Sequence, residues 1–248
     1  GRVIPVSLRA HLLDAATVGL SLVNGLHQQL GDDPELVRIT RETGAEILDL
    51  RRPRPARELR FWTGEIATVK APRVAVLGTD CAVGKRTTTT LLLEACSGDG
   101  LNTEFVYTGQ TAWLQGAKYG FLFDATPNDF VSGELEGAVL ACAREADPDL
   151  ILLEGQSALR NPSGPCGAEF ILSAGATGVV LQHSPTRVSF EGLGDRWKIP
   201  PLHQEIELIS LLGAEVLAVT LNEEGIEGEA ENVRRSLAQE LGIPVVLP

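Results

Sequence analysis

Methionine is absent from this 248-residue sequence, and aromatic side chains make up only 5% of it. An intact primary translation product begins with Met, so we expect a processed chain, a fragment or an edited record. No run of about 18 apolar residues is present, and we therefore expect no membrane-spanning helix. A charged segment followed by an apolar signal segment is also absent, so we expect a cytoplasmic protein.

Cysteine and histidine are scarce, with four residues of each. The cysteines are Cys81, Cys96, Cys142 and Cys166. None of them lies in a C-x-x-C pair, and the histidines do not complete a zinc-binding spacing. We therefore expect free thiols rather than disulfides, and no bound metal.

Acidic residues outnumber basic ones, 33 against 21, which gives a formal net charge of −12. The mean field of such a chain repels nucleic acid and anionic membranes, so we expect neither as a partner. A small anionic ligand remains compatible with this charge, because local geometry determines its binding. The length suits one large or two small domains with a sizeable core.

Apolar runs alternate with amphipathic runs, which predicts an α/β fold with a doubly wound, mostly parallel sheet. Strands are predicted at 20–24, 45–50, 73–79, 103–107, 149–154, 178–182, 215–220 and 243–247, and helices at 7–17, 34–43, 84–96, 132–146, 201–212 and 228–241. Three prolines interrupt this alternation within 51–72, where we place a linker or domain boundary. We therefore predict a first domain over 1–70, linker included, and a second domain over 71–248.

The strongest local motif is the glycine loop over 78–87, which follows a predicted strand and opens a predicted helix. In this context consecutive N–H groups form an anion-binding nest, to which the helix N-terminus and Lys85 add positive potential. The alternative is a tight turn with an incidental Lys, but the whole context favours phosphate binding. The predicted phosphate-binding residues are Gly78, Thr79, Gly84, Lys85, Arg86 and Thr87.

This loop departs twice from the usual phosphate-loop sequence, G-x-x-x-x-G-K-[ST]. The first Gly of that pattern is expected at Thr79, whereas Gly78 lies one residue earlier. Arg86 occupies the position at which Ser or Thr would hold Mg²⁺. The loop is thus suited to binding a pyrophosphate without a metal, and poorly suited to metal-assisted phosphoryl transfer.

The loop sequence GTDCAVGK (78–85) is similar to that of dethiobiotin synthetase, an ATP-dependent enzyme with the same offset first Gly. Over nearly its whole length the chain also resembles a family first described as a domain of unknown function and since associated with D-glutamate N-acetyltransferase. The features that carry this resemblance are GLH (25–27), DLR (49–51), GTDCAVGK (78–85), TGQT (108–111), Asp129-Phe130, EGQ (154–156), IPPL (199–202) and LN (221–222). The resemblance implies a Rossmann-like N-terminal domain, here only partial, joined to a P-loop NTPase-like domain.

The same resemblance implies transfer of acetyl from acetyl-CoA to the amine of an acidic amino acid, D-glutamate, with CoA phosphates held by the loop. The amine must lose a proton before it attacks the thioester, so a base is needed. Glu154 follows a strongly apolar run, and Asp80 lies inside the loop. These two are the candidate catalytic residues, although each could instead cap a helix.

Polar residues near other predicted strand ends are candidates for contacts with the amino acid. An ordinary polar turn, a helix-capping charge or a solvated linker is the alternative for each. The predicted substrate-binding residues are Gln110, Thr111, Asp129, Gln156, Arg52 and Arg187. The two arginines are included because a guanidinium fork matches a carboxylate.

Two other functions stay open. An ATP-dependent ligase or kinase resembling dethiobiotin synthetase would require Mg²⁺, with Thr87 as the metal ligand. A non-catalytic module that binds CoA or a nucleotide would tolerate replacement of every acidic candidate. Asn222 would contact adenine in either case, because CoA and ATP both carry it. We also expect a homo-oligomer.

Overall fold

The computed structural model describes residues 3–247, which form two compact units. The first unit ends at Glu58 and also includes Leu122–Pro127. The second unit comprises Leu59–Phe121 and the chain from Asn128 onward. No helix in the described range is both long enough and apolar enough to cross a bilayer.

The elements follow one another in an α/β order along the chain. The strands are β1 (Leu22–Asn24), β2 (Ile47–Asp49), β3 (Arg73–Gly78), β4 (Thr103–Tyr107), β5 (Tyr119–Gly120), β6 (Leu150–Glu154), β7 (Gly178–His183), β8 (Glu215–Leu221) and β9 (Val245–Val246). The α-helices are α1 (Val6–Thr17), α2 (Pro34–Thr43), α3 (Lys85–Gly98), α4 (Gln110–Leu114), α5 (Asn128–Ala146), α6 (Ala168–Leu172), α7 (Leu202–Leu211) and α8 (Ala230–Leu241). Short 3-10 helices lie at Leu30–Asp32, Ala56–Glu58, Glu65–Thr68 and Phe123–Ala125.

The first unit is a small α/β motif in which β1 and β2 pair in parallel. Asp33 caps α2 by accepting hydrogen bonds from the amides of Glu35 and Leu36. Pro34 occupies the first helical position, and Gly44 ends the helix in the left-handed conformation at φ 77°. The predicted start and end of this helix are therefore confirmed.

The second unit is built on a parallel sheet with the order β5-β4-β6-β3-β7-β8-β9. This confirms the predicted α/β fold with a mostly parallel sheet. Ala75 and Val76 of the central strand β3 are fully buried, as are Leu153 in β6 and Leu181 in β7. Burying a side chain of the size of Leu contributes roughly 1.5–3 kcal/mol, so these apolar runs anchor the sheet.

The register of the sheet brings three strand ends to one edge. Val76 of β3 pairs with Glu154, and Val106 of β4 pairs with Leu153. The glycine loop, the segment after Glu154 and the segment after β4 therefore lie side by side. Ligands of open parallel sheets bind at this carboxyl edge.

Part of the predicted linker is held against α5 by two buried glutamates. Glu134 accepts a hydrogen bond from the amide of Arg60 at 2.9 Å. Glu136 accepts from the amides of Thr63 and Ile66 at 2.7 and 3.0 Å. This stretch of the linker is thus packed structure within the second unit.

The remaining differences from the sequence prediction concern short elements and one helix start. Helix α5 begins at Asn128 rather than at residue 132, so Asp129 lies in its first turn. The segment 108–111, for which a polar turn was the alternative to a ligand contact, opens α4 at Gln110. The sequence does not predict α4, α6 or β5, because segments of two to five residues show no measurable periodicity.

Candidate active site

The glycine loop bends through two residues with positive φ before α3 begins. These are Ala82 at φ 49° and Gly84 at φ 110°. The first backbone bond of the helix runs from the amide of Thr88 to the carbonyl of Gly84. The amides of residues 85–87 precede that bond and have no acceptor within the helix. An anion in front of them would face the positive end of the helix dipole.

Two glycines allow the loop and the neighbouring strand to pack closely. A Cβ at Gly78 would lie 3.0 Å from both Lys85 Cδ and Val83 Cγ2. A Cβ at Gly155 would lie 2.4 Å from the carbonyl oxygen of Val76, which is backbone and cannot move aside. Glycine at these positions therefore sets the spacing between the loop, β3 and β6.

Lys85 points back into the loop and is buried. Its ammonium donates to the backbone carbonyls of Asp80 and Ser157 at 2.7 and 2.8 Å. Burial lowers the pKa of Lys85, because desolvation disfavours the charged form. An ammonium has three donors, so one remains for an anion at the loop.

Asp80 is fully buried, and both of its carboxylate oxygens are occupied. Oδ1 accepts from the amide of Cys81 at 2.7 Å and from Asn161 Nδ2 at 3.1 Å. Oδ2 accepts from the amide of Glu191 at 2.8 Å and from Arg187 Nη1 at 3.2 Å. Asp80 thus joins the loop to two distant segments, and Arg187 is ion-paired with it.

Residues at the ends of β7 and β8 support the loop. Thr79 Oγ1 lies 3.0 Å from His183 Nδ1, and the amide of Thr79 donates to the carbonyl of Gln182. Burial lowers the pKa of His183 to about 4, so the imidazole is neutral near pH 7. Asn222, the predicted adenine contact, donates to the carbonyl of Val83 at 3.2 Å and thereby also holds the loop.

Glu154 ends β6 beside the loop and is only 4% exposed. Its Oε2 accepts hydrogen bonds from the amides of Thr108 and Gly109 at 3.0 and 3.3 Å. Desolvation raises the pKa of Glu154, although these bonds and the charges of Arg86 and Lys85 oppose the shift. A carboxylate with a raised pKa is a stronger base than an exposed one.

One cleft of about 340 Å³ joins the loop to Glu154. Its lining includes Lys85, Arg86 and residues 154–157. Gln156 donates through Nε2 to Thr108 Oγ1 at 3.0 Å, which directs its amide along the edge of the sheet. Two cations, a buried carboxylate and a primary amide therefore line one cleft.

Two other predicted substrate-binding residues, Gln110 and Thr111, directly follow Gly109 in the chain. Gln110 and Thr111 form the first turn of α4; Gln110 is half-buried and Thr111 is exposed. Thr87, at the end of the loop, is also exposed.

Within residues 3–247, no group of three or more His, Cys, Asp or Glu side chains is arranged to hold a metal ion.

Arg52 and Asp129 have other surroundings. Arg52 belongs to the first unit, where Nη2 lies 2.9 Å from Asp32 and 3.2 Å from Asp49. Asp129 is exposed in the first turn of α5, where the helix dipole favours a negative charge. Neither is among the residues that line the cleft.

Several contacts that shape the site carry no sequence signal, even where a residue such as Thr108 belongs to a segment singled out in the sequence. Ser157 adopts positive φ, 44°, and this conformation presents its carbonyl to Lys85. Asn161 reaches Asp80 from the same segment, and Thr108 contributes both its amide and its hydroxyl to Glu154. These contacts join segments far apart in the chain, and no local motif predicts them.

The loop, its buried lysine and the parallel sheet together define an α/β protein of the P-loop class. A family model described as a domain of unknown function, DUF1611_C, P-loop domain, matches residues 60–248. Its companion, the Rossmann-like domain DUF1611_N, matches residues 1–53. The chain belongs to the DUF1611 family.

Two curated relatives named D-glutamate N-acetyltransferase match nearly all of the chain. The one from a Pseudoalteromonas species is 30% identical over 244 residues, which are 95% of this chain and 70% of the relative. The one from Tritonibacter scottomollicae is 28% identical over 246 residues, which are 96% of this chain and 71% of the relative. A crystal structure of a DUF1611 family protein from Anabaena variabilis is similar with a TM-score of 0.88 at 29% identity, covering 98% of this chain and 71% of that one. The resemblance to the family associated with D-glutamate N-acetyltransferase, drawn from the motifs, is confirmed.

Proposed function

We propose that this protein is an N-acetyltransferase that moves acetyl from acetyl-CoA to the amine of an acidic amino acid, D-glutamate. The observation that carries the proposal is the cleft in which Glu154 faces the glycine loop, in a chain 30% identical to a protein named for this activity. The amine acceptor needs a base, and the acyl donor carries a pyrophosphate. The cleft offers a group for each.

The loop suits the phosphates of CoA. The amides of residues 85–87 and the third donor of Lys85 would bind a pyrophosphate oxygen cluster. Arg86 stands where a metal-dependent loop has Ser or Thr, so the residues present favour binding without a divalent ion. Asn222 would lie beside the loop that holds the adenosine diphosphate portion.

Glu154 would take the proton that the ammonium of the acceptor must lose. Its Oε2 is held by Thr108 and Gly109, and this fixes the carboxylate at the edge of the cleft. The amide of Gln156 would orient the amine. Because Glu154 borders the phosphate loop, the pantetheine arm of acetyl-CoA would have to fold back to bring the thioester to this point.

Replacing Lys85 with Ala should weaken acetyl-CoA binding by roughly 1.5–3 kcal/mol, the range for a lost charge-assisted contact. Isothermal titration calorimetry measures the change, with circular dichroism to show that the variant is folded. Lys70→Ala is the matched control, because Lys70 is exposed and does not line the cleft. Unchanged affinity in folded Lys85→Ala would remove the loop from the phosphate site.

Acetyl transfer should survive excess EDTA, because Arg86 occupies the metal-ligand position of the loop. The assay follows acetyl-CoA consumption with D-glutamate, before and after chelation. A parallel titration compares acetyl-CoA with ATP, each with and without Mg²⁺. Activity that EDTA abolishes and only Mg²⁺ restores, together with Mg²⁺-dependent ATP binding, would instead favour the ATP-dependent ligase or kinase.

A further inference from the structure

Arg86 is the cation of the cleft that keeps most of its hydrogen-bond donors free for a ligand, while its charge also acts on Glu154. It is half-buried, lines the cleft, and donates through Nη1 to the neutral amide oxygen of Gln115. Across residues 3–247, no carboxylate forms an ion pair with it. Lys85 differs, because two backbone carbonyls already hold its ammonium. A guanidinium has five donors, so most of those of Arg86 remain available.

The Arg86–Gln115 hydrogen bond links the start of α3 to the end of α4. The strands that precede these two helices flank β6, the strand that ends in Glu154. Arg86 belongs to the helix that follows β3, and Gln115 ends the helix that follows β4. In the sheet, β6 lies between β3 and β4, and β6 ends in Glu154. Arg86 and the buried, oppositely charged Glu154 therefore line the same cleft.

We propose that Arg86 binds the side-chain carboxylate of the acidic acceptor and so determines its specificity, with Gln115 as the residue that positions the guanidinium. This inference rests on the proposed acetyl transfer. An acidic amino acid has an ammonium and a second carboxylate, and Glu154 and Arg86 are complementary to these two groups. Residues 85–87 offer amides to the donor phosphates without the guanidinium, so this assignment replaces the phosphate role predicted for Arg86.

The test compares D-glutamate with D-glutamine, which has the same shape but no side-chain charge. Arg86→Gln should lower kcat/KM for D-glutamate by roughly 10–100-fold relative to D-glutamine, and leave the KM for acetyl-CoA nearly unchanged. Arg86→Lys should retain part of the preference, because it keeps the charge but loses the fork. Arg235→Gln, on an exposed part of α8, is the control for loss of one positive charge.

Gln115 provides a second variant, and because this residue is exposed, its replacement should leave folding intact. Gln115→Glu places a carboxylate against Arg86 and should raise the KM for D-glutamate about threefold to tenfold while sparing D-glutamine. An unchanged ratio of the two acceptors in both variants, with a raised KM for acetyl-CoA, would assign Arg86 to phosphate and overturn the inference. A wild-type protein that acetylates neither acceptor would overturn the acetyltransferase proposal and this inference with it.

Discussion

Replacing Glu154 with Gln should lower kcat for acetyl transfer by about 10²–10⁴-fold, the usual contribution of a positioned general base. The affinity for acetyl-CoA should change little, because the loss falls on the transition state. Steady-state kinetics with D-glutamate, together with calorimetry for acetyl-CoA, measures both quantities. The substitution preserves the shape of the side chain, and its amide oxygen can still accept from Thr108 and Gly109.

The pH profile gives an independent check on Glu154. A base must be ionised, so activity should rise with pH as Glu154 loses its proton. Burial raises the pKa of Glu154, and this acidic limb should therefore lie at higher pH than an exposed glutamate would give. Glu154→Gln should lack the limb. Near wild-type kcat in this variant would place the base elsewhere.

A stability measurement distinguishes a Glu154 variant that has lost only the base from one that has lost the fold. The pKa of Glu154 is raised in the folded state, so its ionisation costs folding free energy at every pH above the unfolded-state pKa. Glu154→Gln removes this cost and should be at least as stable as the wild type near neutral pH. Urea denaturation measures the difference. A variant that is both inactive and destabilised would indicate a structural role.

Asp80→Asn should destabilise the protein by roughly 2–4 kcal/mol, because an amide nitrogen would face donors that now meet a carboxylate oxygen. If the amide nitrogen took the place of Oδ2, it would face Arg187 Nη1 and the amide of Glu191. If it took the place of Oδ1, it would face the amide of Cys81 and Asn161 Nδ2. Urea denaturation gives the free energy of unfolding. The acidic limb of the pH profile should persist in the folded variant.

Asp129→Asn is the matched control for Asp80→Asn, since Asp129 is exposed. It should lower the free energy of unfolding by at most about 1 kcal/mol, the contribution of a negative charge near a helix N-terminus. If Asp80→Asn were as stable as this control and lost the acidic limb, Asp80 rather than Glu154 would be the base.

The larger elements were predictable because burial requires continuous apolar runs and helix ends require particular capping residues. Buried strands such as β3 and β6 are continuous apolar runs, and the helix after Asp33 has a cap, a proline and a terminal glycine at the required positions. The strand order, by contrast, depends on contacts between distant segments. The placement of β6 between β3 and β4 is therefore a result of the structure alone.

The site was predictable to the level of residue types at strand ends. Gly84, Lys85, Glu154 and Gln156 meet in one cleft, as expected of residues at adjacent carboxyl ends. The direction of each side chain was not predictable. Arg187 reads as a possible substrate fork in the sequence, whereas in the structure its guanidinium pairs with Asp80.

The neutral imidazole of His183 can serve as a magnetic resonance probe of ligand binding at the loop. Its pKa of about 4 keeps it uncharged through the range in which acetyl transfer would be assayed, so its resonances should not move with pH there. Its Nδ1 contacts Thr79, which belongs to the loop. With only four histidines in the chain, the signal can be assigned by single substitutions. A shift of that signal during a titration would then report arrival of a ligand at the loop.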